Sequence, residues 1–254
     1  MKGRWSLDAG RVTRAYDDWH LSEQELRAFL RLASAFSEEG YAARWTRIQH
    51  HPGSEDADIL DLMDREVDGL IPHQFEWLLG NFCVRDGTTL YEVYLEKALE
   101  EVAGFQVGTL PVGEHSPFWR EFRDVFHDVF DLDPSPGDVS DVMNLRDLLT
   151  HRRGELRTEE AQNRYQTHEL EFPDYAVRLT RTRVAECLDS LAASVERIDR
   201  VMYGHSWGHQ PLTDEQKRRL AEVLGHGRQR SRSRGPRVDR LERGRRRGTV
   251  DPSQ

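Results

Sequence analysis

Residues 142–154, VMNLRDLLTHRRG, carry the most informative pattern in the chain. Apolar residues lead up to an arginine and an aspartate, and a histidine stands five positions after the arginine. Because apolar residues at helical spacing form one buried face, this pattern predicts the end of an amphipathic helix. The helix is expected to begin at about Asp138, after the turn-forming residues 133–137.

Segments on both sides of this helix also repeat their apolar residues at helical spacing. They predict helices over about 22–39, 41–51, 54–71, 72–82, 88–103, 116–130, 174–203 and 213–224. The predicted fold class is therefore all-α. We expect a helical bundle at 54–225, an N-terminal helical extension at 1–53 that is either an appendage or part of the core, and a disordered Arg-rich tail at 226–254.

Local signals predict where these helices start and stop. Residues 22–25 and 213–216 have the pattern of capping boxes, and Ser116-Pro117 is typical of a helix start. The glycines of residues 203–209 predict the end of the longest helix.

Glycine and proline predict several breaks in the first half of the chain. Gly40 is expected to end the first helix, Pro72 to kink or break the next, and residues 85–87 to form a turn. A loop is expected at 104–114, and within it residues 105–110 are the candidate strand.

An arginine followed by a histidine after four to six intervening residues occurs at seven places in the chain. Only Arg146 is followed at once by Asn, Asp or His, and it lies in a predicted amphipathic helix with a glycine three residues after the histidine. This combination resembles the HEPN superfamily, a group of all-α domains whose signature is Arg, a polar residue, a short spacer and His. About a dozen residues carry the motif, in a helical context from 54 to 204.

The resemblance implies an activity, because many HEPN proteins are metal-independent endoribonucleases. RNA supplies its own nucleophile, the 2′-hydroxyl group, and histidine can serve as general acid and base near neutral pH. The guanidinium group of arginine matches a phosphoryl group and can stabilise charge that develops on it. We therefore expect His151 to be the general acid/base, Arg146 to bind phosphate and the transition state, and Asp147 to orient one of them.

Further residues are implied in supporting roles. Arg152 and Arg153 are expected to be accessory phosphate contacts. In some HEPN proteins an acidic residue on an earlier helix supports the site, and Glu92 and Glu96 are the candidates here. No metal or other cofactor is expected, because the chain has no zinc pattern and His205 and His209 lack further ligands at suitable spacing.

Helix geometry limits how Arg146 and His151 can cooperate. On a continuous helix, residues five apart point about 140° away from each other. A joint site needs the helix to end or bend near residues 149–150, or needs a second chain; HEPN ribonucleases are generally dimers with two motifs facing one cleft. The alternative is that both side chains are solvated charges at a helix C-terminus, where cations are favoured.

Charge is divided unevenly along the chain. The formal net charge is −9, yet residues 226–254 hold ten arginines and only three acidic residues. The remaining 26 basic and 42 acidic side chains give the rest of the chain a net charge of −16. An RNA site on this acidic body should therefore be local, and the basic tail could add sequence-independent attraction to phosphates.

Cysteines and hydropathy indicate the compartment. Cys83 and Cys187 lie in apolar helical segments without paired or metal-like spacing, which favours two small core residues in a reducing environment. No apolar run is long enough to span a membrane, and no signal peptide is recognisable. We expect a soluble, cytoplasmic protein.

Two functions are therefore open at the sequence level. The first is a homodimeric HEPN-type endoribonuclease that cleaves RNA in a toxin–antitoxin or antiviral defence system, with an antitoxin or defence protein as partner. The second is a non-catalytic HEPN-like module that dimerises or binds a nucleotide or a protein. A helical regulator unrelated to HEPN proteins is a third interpretation.

Overall fold

The computed structural model describes residues 11–50, 72–108, 119–156, 177 and 179–233. These residues form six helices: α1 (Arg14–Gln49), α2 (Pro72–Gln106), α3 (Trp119–Phe130), α4 (Gly137–Arg152), α5 (Arg181–Ser206) and α6 (Asp214–Ser233). No β-strand occurs in this part of the chain, so the predicted all-α class is confirmed. Within the same residues, no helix is both long and apolar enough to cross a membrane.

Helix α2 is the centre of the bundle and touches each of the other five helices. It runs antiparallel to α1, since Asp18 pairs with Lys97 near one end and Phe29 meets Phe82 further along. Helix α5 runs parallel to α2, whereas α4 runs antiparallel to α2. The motif helix is therefore held on one side of a long central helix.

One hydrophobic cluster joins the elements of the bundle. It contains fully buried side chains from α2 to α6, including Leu95, Phe126, Leu145, Ile198 and Leu220. Helix α1, which belongs to the predicted N-terminal extension, adds further members to the same cluster: Ala15, Tyr16, Trp19, Leu26 and Leu30. Because these side chains are buried against the bundle, α1 is part of its core.

Helix α2 is continuous, and the predicted turn at residues 85–87 is wrong. A Cβ atom at Gly87 would lie 2.6 Å from a methyl carbon of Leu188, so the glycine lets α5 approach the backbone of α2. Gly80, seven residues earlier, has the same role, because a Cβ atom there would lie 3.1 Å from a methyl carbon of Val184. These glycines serve helix–helix packing, whereas local sequence signals favour a break.

The boundaries of α1 also differ from the prediction. The helix begins at Arg14, where Thr13 accepts a hydrogen bond from the Tyr16 amide at 3.0 Å. The predicted start at Ser22 lies inside the helix. Gly40 does not end α1, because a glycine on an open helix surface weakens a helix without breaking it.

Three other helix ends differ from the prediction. The candidate strand at 105–110 is wrong over its first residues, because α2 continues through Gln106. The longest predicted helix starts later than residue 174, at Arg181, where Thr180 is the N-cap. Helix α6 also continues to Ser233, beyond its predicted end at Leu224.

Several predicted ends are confirmed. Helix α4 starts at Gly137, and α5 ends at Ser206. In the predicted capping box at residues 213–216, the Gln216 amide donates to Thr213 and the Thr213 amide donates to the side chain of Gln216. The predictions for residues 54–71, for a helix start at Ser116-Pro117 and for the tail beyond Ser233 concern residues outside those that the structure describes.

Candidate functional site

The motif helix α4 is anchored by an apolar face. Val139, Val142, Leu145 and Leu149 are all buried in the common core. Arg146 follows Leu145 at the edge of this face and contacts Glu92 of α2. Helical periodicity thus places the guanidinium group at the boundary between core and solvent.

Arg146 lies between two carboxylates. One of its terminal nitrogens donates to Asp147 at 2.9 Å, and the other is hydrogen bonded to Glu92 of α2. The side chains of Arg146 and Glu92 are 26% and 31% exposed, against 59% for Asp147. The predicted supporting acid Glu92 therefore contacts the motif arginine, and the structure brings Glu92, Arg146 and Asp147 together.

Burial changes the acidity of Glu92. The pKa of its carboxyl group is raised above its ordinary value, mainly by desolvation, although the nearby Arg146 acts in the opposite direction. The charge of Asp147 raises it further. Glu92 is thus a carboxylate that is costly to keep ionised, and its ion pair with Arg146 is what favours the ionised form.

The other candidate acid, Glu96, lies one turn further along α2. No described residue forms a hydrogen bond or ion pair with it, so Glu96 is not part of the Arg146 cluster in one chain. One turn later, burial of Glu100 raises the pKa of its own carboxyl group, and the charge of Glu96 raises it further.

His151 is separate from this cluster. Its side chain is exposed and forms no hydrogen bond with another described residue. Helix α4 runs without interruption to Arg152, so the bend near residues 149–150 that a one-chain site needs does not occur. His151 therefore points about 140° away from Arg146 around the helix, and one chain does not bring the two together.

The end of α4 has a defined geometry. Arg153 adopts a left-handed conformation with φ of 51°, and Gly154 follows with φ of 75°. The Gly154 amide donates to the Leu148 carbonyl at 3.2 Å, which satisfies a carbonyl at the helix end. Arg152 and Arg153 are both exposed, so this end of the helix presents three basic side chains with His151.

A contact that the sequence did not reveal fixes this end of the helix. The Val177 amide donates to the Gly154 carbonyl at 2.8 Å, and the indole nitrogen of Trp77 donates to the Val177 carbonyl at 2.9 Å. A Cβ atom at Gly154 would lie 2.9 Å from the Trp77 ring. The glycine of the motif is therefore required by close packing, although no sequence signal pointed to Trp77.

The structure assigns other roles to the histidines considered for metal binding. The ring of His205 is hydrogen bonded to the Gln210 carbonyl at 2.6 Å and packs edge-on against Phe130. Its pKa is lowered by burial. His209 lies against Tyr203, and no cluster of three metal-ligating side chains occurs among the described residues.

No protein-family model, curated protein or solved structure matches this chain. The similarity to HEPN proteins rests on residues 142–154 and on the helical context, and it stays a prediction.

Proposed function

We propose that this protein is a metal-independent endoribonuclease of the HEPN type that acts as a homodimer. The observation that carries the proposal is the placement of Arg146 between Glu92 and Asp147 at the edge of α4, with His151 exposed on another side of the same helix. Glu92, Arg146 and Asp147 thus form one partly exposed cluster.

The chemistry requires both motif side chains at one phosphate. His151 would remove the 2′-hydroxyl proton and return a proton to the leaving 5′-oxygen. Arg146 would stabilise the negative charge that develops on the non-bridging oxygens. Since the two side chains diverge on one helix, we propose a composite site with Arg146 from one chain and His151 from its partner.

The two carboxylates give Arg146 a defined orientation before substrate binds. A phosphate would compete with Asp147, whose side chain is the more exposed of the two. Glu92 would keep one edge of the guanidinium group in place while the other edge binds phosphate. Arg152 and Arg153 would then contribute the local positive charge that an acidic protein needs to attract RNA.

The proposed setting is the cytoplasm, in a toxin–antitoxin or phage-defence system with a protein partner that controls activity. Both cysteines are free and buried, as expected for a reducing compartment.

The first test is cleavage of total RNA in the presence of EDTA by the wild type, Arg146→Ala and His151→Ala. The matched control is His127→Ala, which removes an exposed histidine from α3. We expect the wild type and the control to produce 2′,3′-cyclic phosphate ends and both motif variants to lose at least about a hundredfold in rate. Equal cleavage by all four proteins would contradict the proposal.

Mixing the two inactive variants tests the composite site. In an equimolar mixture, half of the dimers contain one chain of each kind, and each such dimer has one intact site. We therefore expect recovery of about a quarter of wild-type activity if subunits exchange freely. No recovery, after mass spectrometry has shown mixed dimers, would place both groups in one chain and contradict the composite site.

A second candidate function is a non-catalytic module that binds a partner protein. An apolar surface favours it: Phe29, Leu32 and Phe36 of α1 and Leu78 and Phe82 of α2 are each about half exposed or more. Phe29 and Phe82 are in contact, with ring centroids 5.4 Å apart. RNA cleavage that depends on Arg146 and His151 would reject this candidate as the sole function.

A further inference from the structure

Asp199 of α5 is a buried carboxylate that does not belong to the Arg146 cluster. The residue is 1% exposed and lies where the first turn of α1 meets α2 and α5. Buried carboxylates are normally paired with a cation, because an ionised group loses its hydration on burial. No lysine or arginine among the described residues forms an ion pair with Asp199.

The partners of Asp199 are neutral donors at the start of α1. The Thr13 amide donates to one carboxylate oxygen at 3.2 Å, and the Thr13 hydroxyl group is hydrogen bonded to the other. The Tyr94 hydroxyl of α2 donates to that same second oxygen at 3.3 Å. One side chain of α5 therefore joins the beginning of α1 to the central helix.

A second carboxylate completes the attachment. Glu101 of α2 accepts hydrogen bonds from the Arg14 and Ala15 amides at 2.9 and 3.3 Å, and the Thr13 hydroxyl accepts from the Tyr16 amide. The first amides of α1, which have no partner within the helix, are thus bonded to groups that depend on two other helices. These hydrogen bonds attach the start of α1 to α2 and α5, beside the buried side chains of Ala15 and Tyr16.

The charged and titratable groups around Asp199 are acidic or neutral. Glu101 and Tyr94 face it from α2, Tyr16 faces it from α1, and Glu196 on α5 lies close to Tyr16. The pKa of Asp199 is raised from 3.8 to about 6, and desolvation is the main cause. The hydrogen bonds from Thr13 and Tyr94 act in the opposite direction, and the charge of Glu101 adds to the increase.

We propose that the contact between Asp199 and Thr13 is a pH-sensitive latch for the first helix. It holds the start of α1 most firmly when the carboxyl group is protonated, and ionisation of the buried group weakens it. Opening of the latch detaches the first turn of α1 from α2 and α5.

The direction follows from linkage between proton binding and docking. The docked carboxyl group, with a pKa of about 6, binds a proton more tightly than an exposed one at 3.8. Docking is therefore strongest below about pH 4, weakens as the pH rises to about 6, and is constant above that. A difference of about two pKa units corresponds to a roughly hundredfold increase in the opening equilibrium.

The test is amide hydrogen exchange of Thr13 and Tyr16 in the full-length protein between pH 4 and 7.5, corrected for the intrinsic dependence of exchange on pH. In the wild type, we expect protection of both amides to fall roughly a hundredfold between pH 4 and pH 6.5. In Asp199→Asn, whose side chain does not titrate, protection should be independent of pH. Glu186→Gln, an exposed change on α5, is the control and should match the wild type.

Thr13→Val provides a second variant with a shape close to that of the native residue. It removes the hydroxyl hydrogen bond that favours the ionised carboxyl group, so the loss of protection of the amide at position 13 should move to higher pH. Only that amide is measured in this variant, because the Tyr16 amide loses its own acceptor. Constant protection in the wild type, or the same fall in Asp199→Asn, would overturn the proposal. If Asp199→Asn does not fold, an unshifted or reversed profile in Thr13→Val would overturn it.

Discussion

Two faces of the central helix α2 differ in how they contact their neighbours. The face toward α5 carries Gly80 and Gly87, whose missing side chains let the two helices pack closely. The face toward α4 carries Glu92, which pairs with a partly exposed arginine. The first face packs in the core of the bundle, whereas the second carries a partly exposed ion pair. The two faces are separated by about a third of a helical turn.

The largest effect on stability is expected from a substitution on the face of α2 that packs against α5. Gly87→Val should lower the free energy of unfolding by about 3 kcal/mol, because its Cβ would collide with Leu188 in a packed core. Urea unfolding followed by circular dichroism measures the change. Gly104→Val is the matched control on the same helix, since open space surrounds Gly104. Equal losses in both variants would show that helix propensity alone sets the cost.

A smaller effect is expected at the end of α4. Gly154→Ala should cost about 2 kcal/mol, because the residue has a left-handed φ and a Cβ would meet the Trp77 ring. Thermal unfolding measures this cost, with Gly137→Ala at the open start of the same helix as control. The idea that Trp77 fixes the helix end fails if Gly154→Ala is as stable as that control.

The smallest effect on stability is expected on the α4 face. Glu92→Gln should change the free energy of unfolding by less than about 1 kcal/mol, because the ion pair is partly solvated. RNA cleavage should nevertheless fall by about tenfold or more, as Arg146 loses its orientation. Glu96→Gln is the matched control, since no described contact joins Glu96 to Arg146. Equal cleavage by the two variants would remove Glu92 from the proposed site.

The helical fold class followed from the sequence, but several helix ends and the continuity of α1 and α2 did not. Apolar spacing was sufficient for α4 and α5, whose buried faces are formed by their own residues. Gly87 and Gly40 were wrongly taken as breaks, because a glycine in a helix costs only about 1 kcal/mol and tertiary packing decides the outcome. The start of α1 was missed because its amides are bonded to Asp199 and Glu101, which are distant in sequence.

The candidate site shows the same limit. The resemblance to HEPN proteins implied that an acidic residue on an earlier helix supports the site, but the sequence could not choose between Glu92 and Glu96. The choice depends on how α2 is rotated against α4. Trp77 had no signal at all, since its role depends on a contact with Val177, 100 residues later.

The two buried thiols can report how often the helical bundle opens. Cys83 of α2 and Cys187 of α5 are both buried in the common core, and burial raises the pKa of each to about 11. Because only the thiolate reacts readily, both should be silent toward alkylating reagents while the interface is closed. The rate of alkylation of these native cysteines would then measure how often α2 and α5 separate.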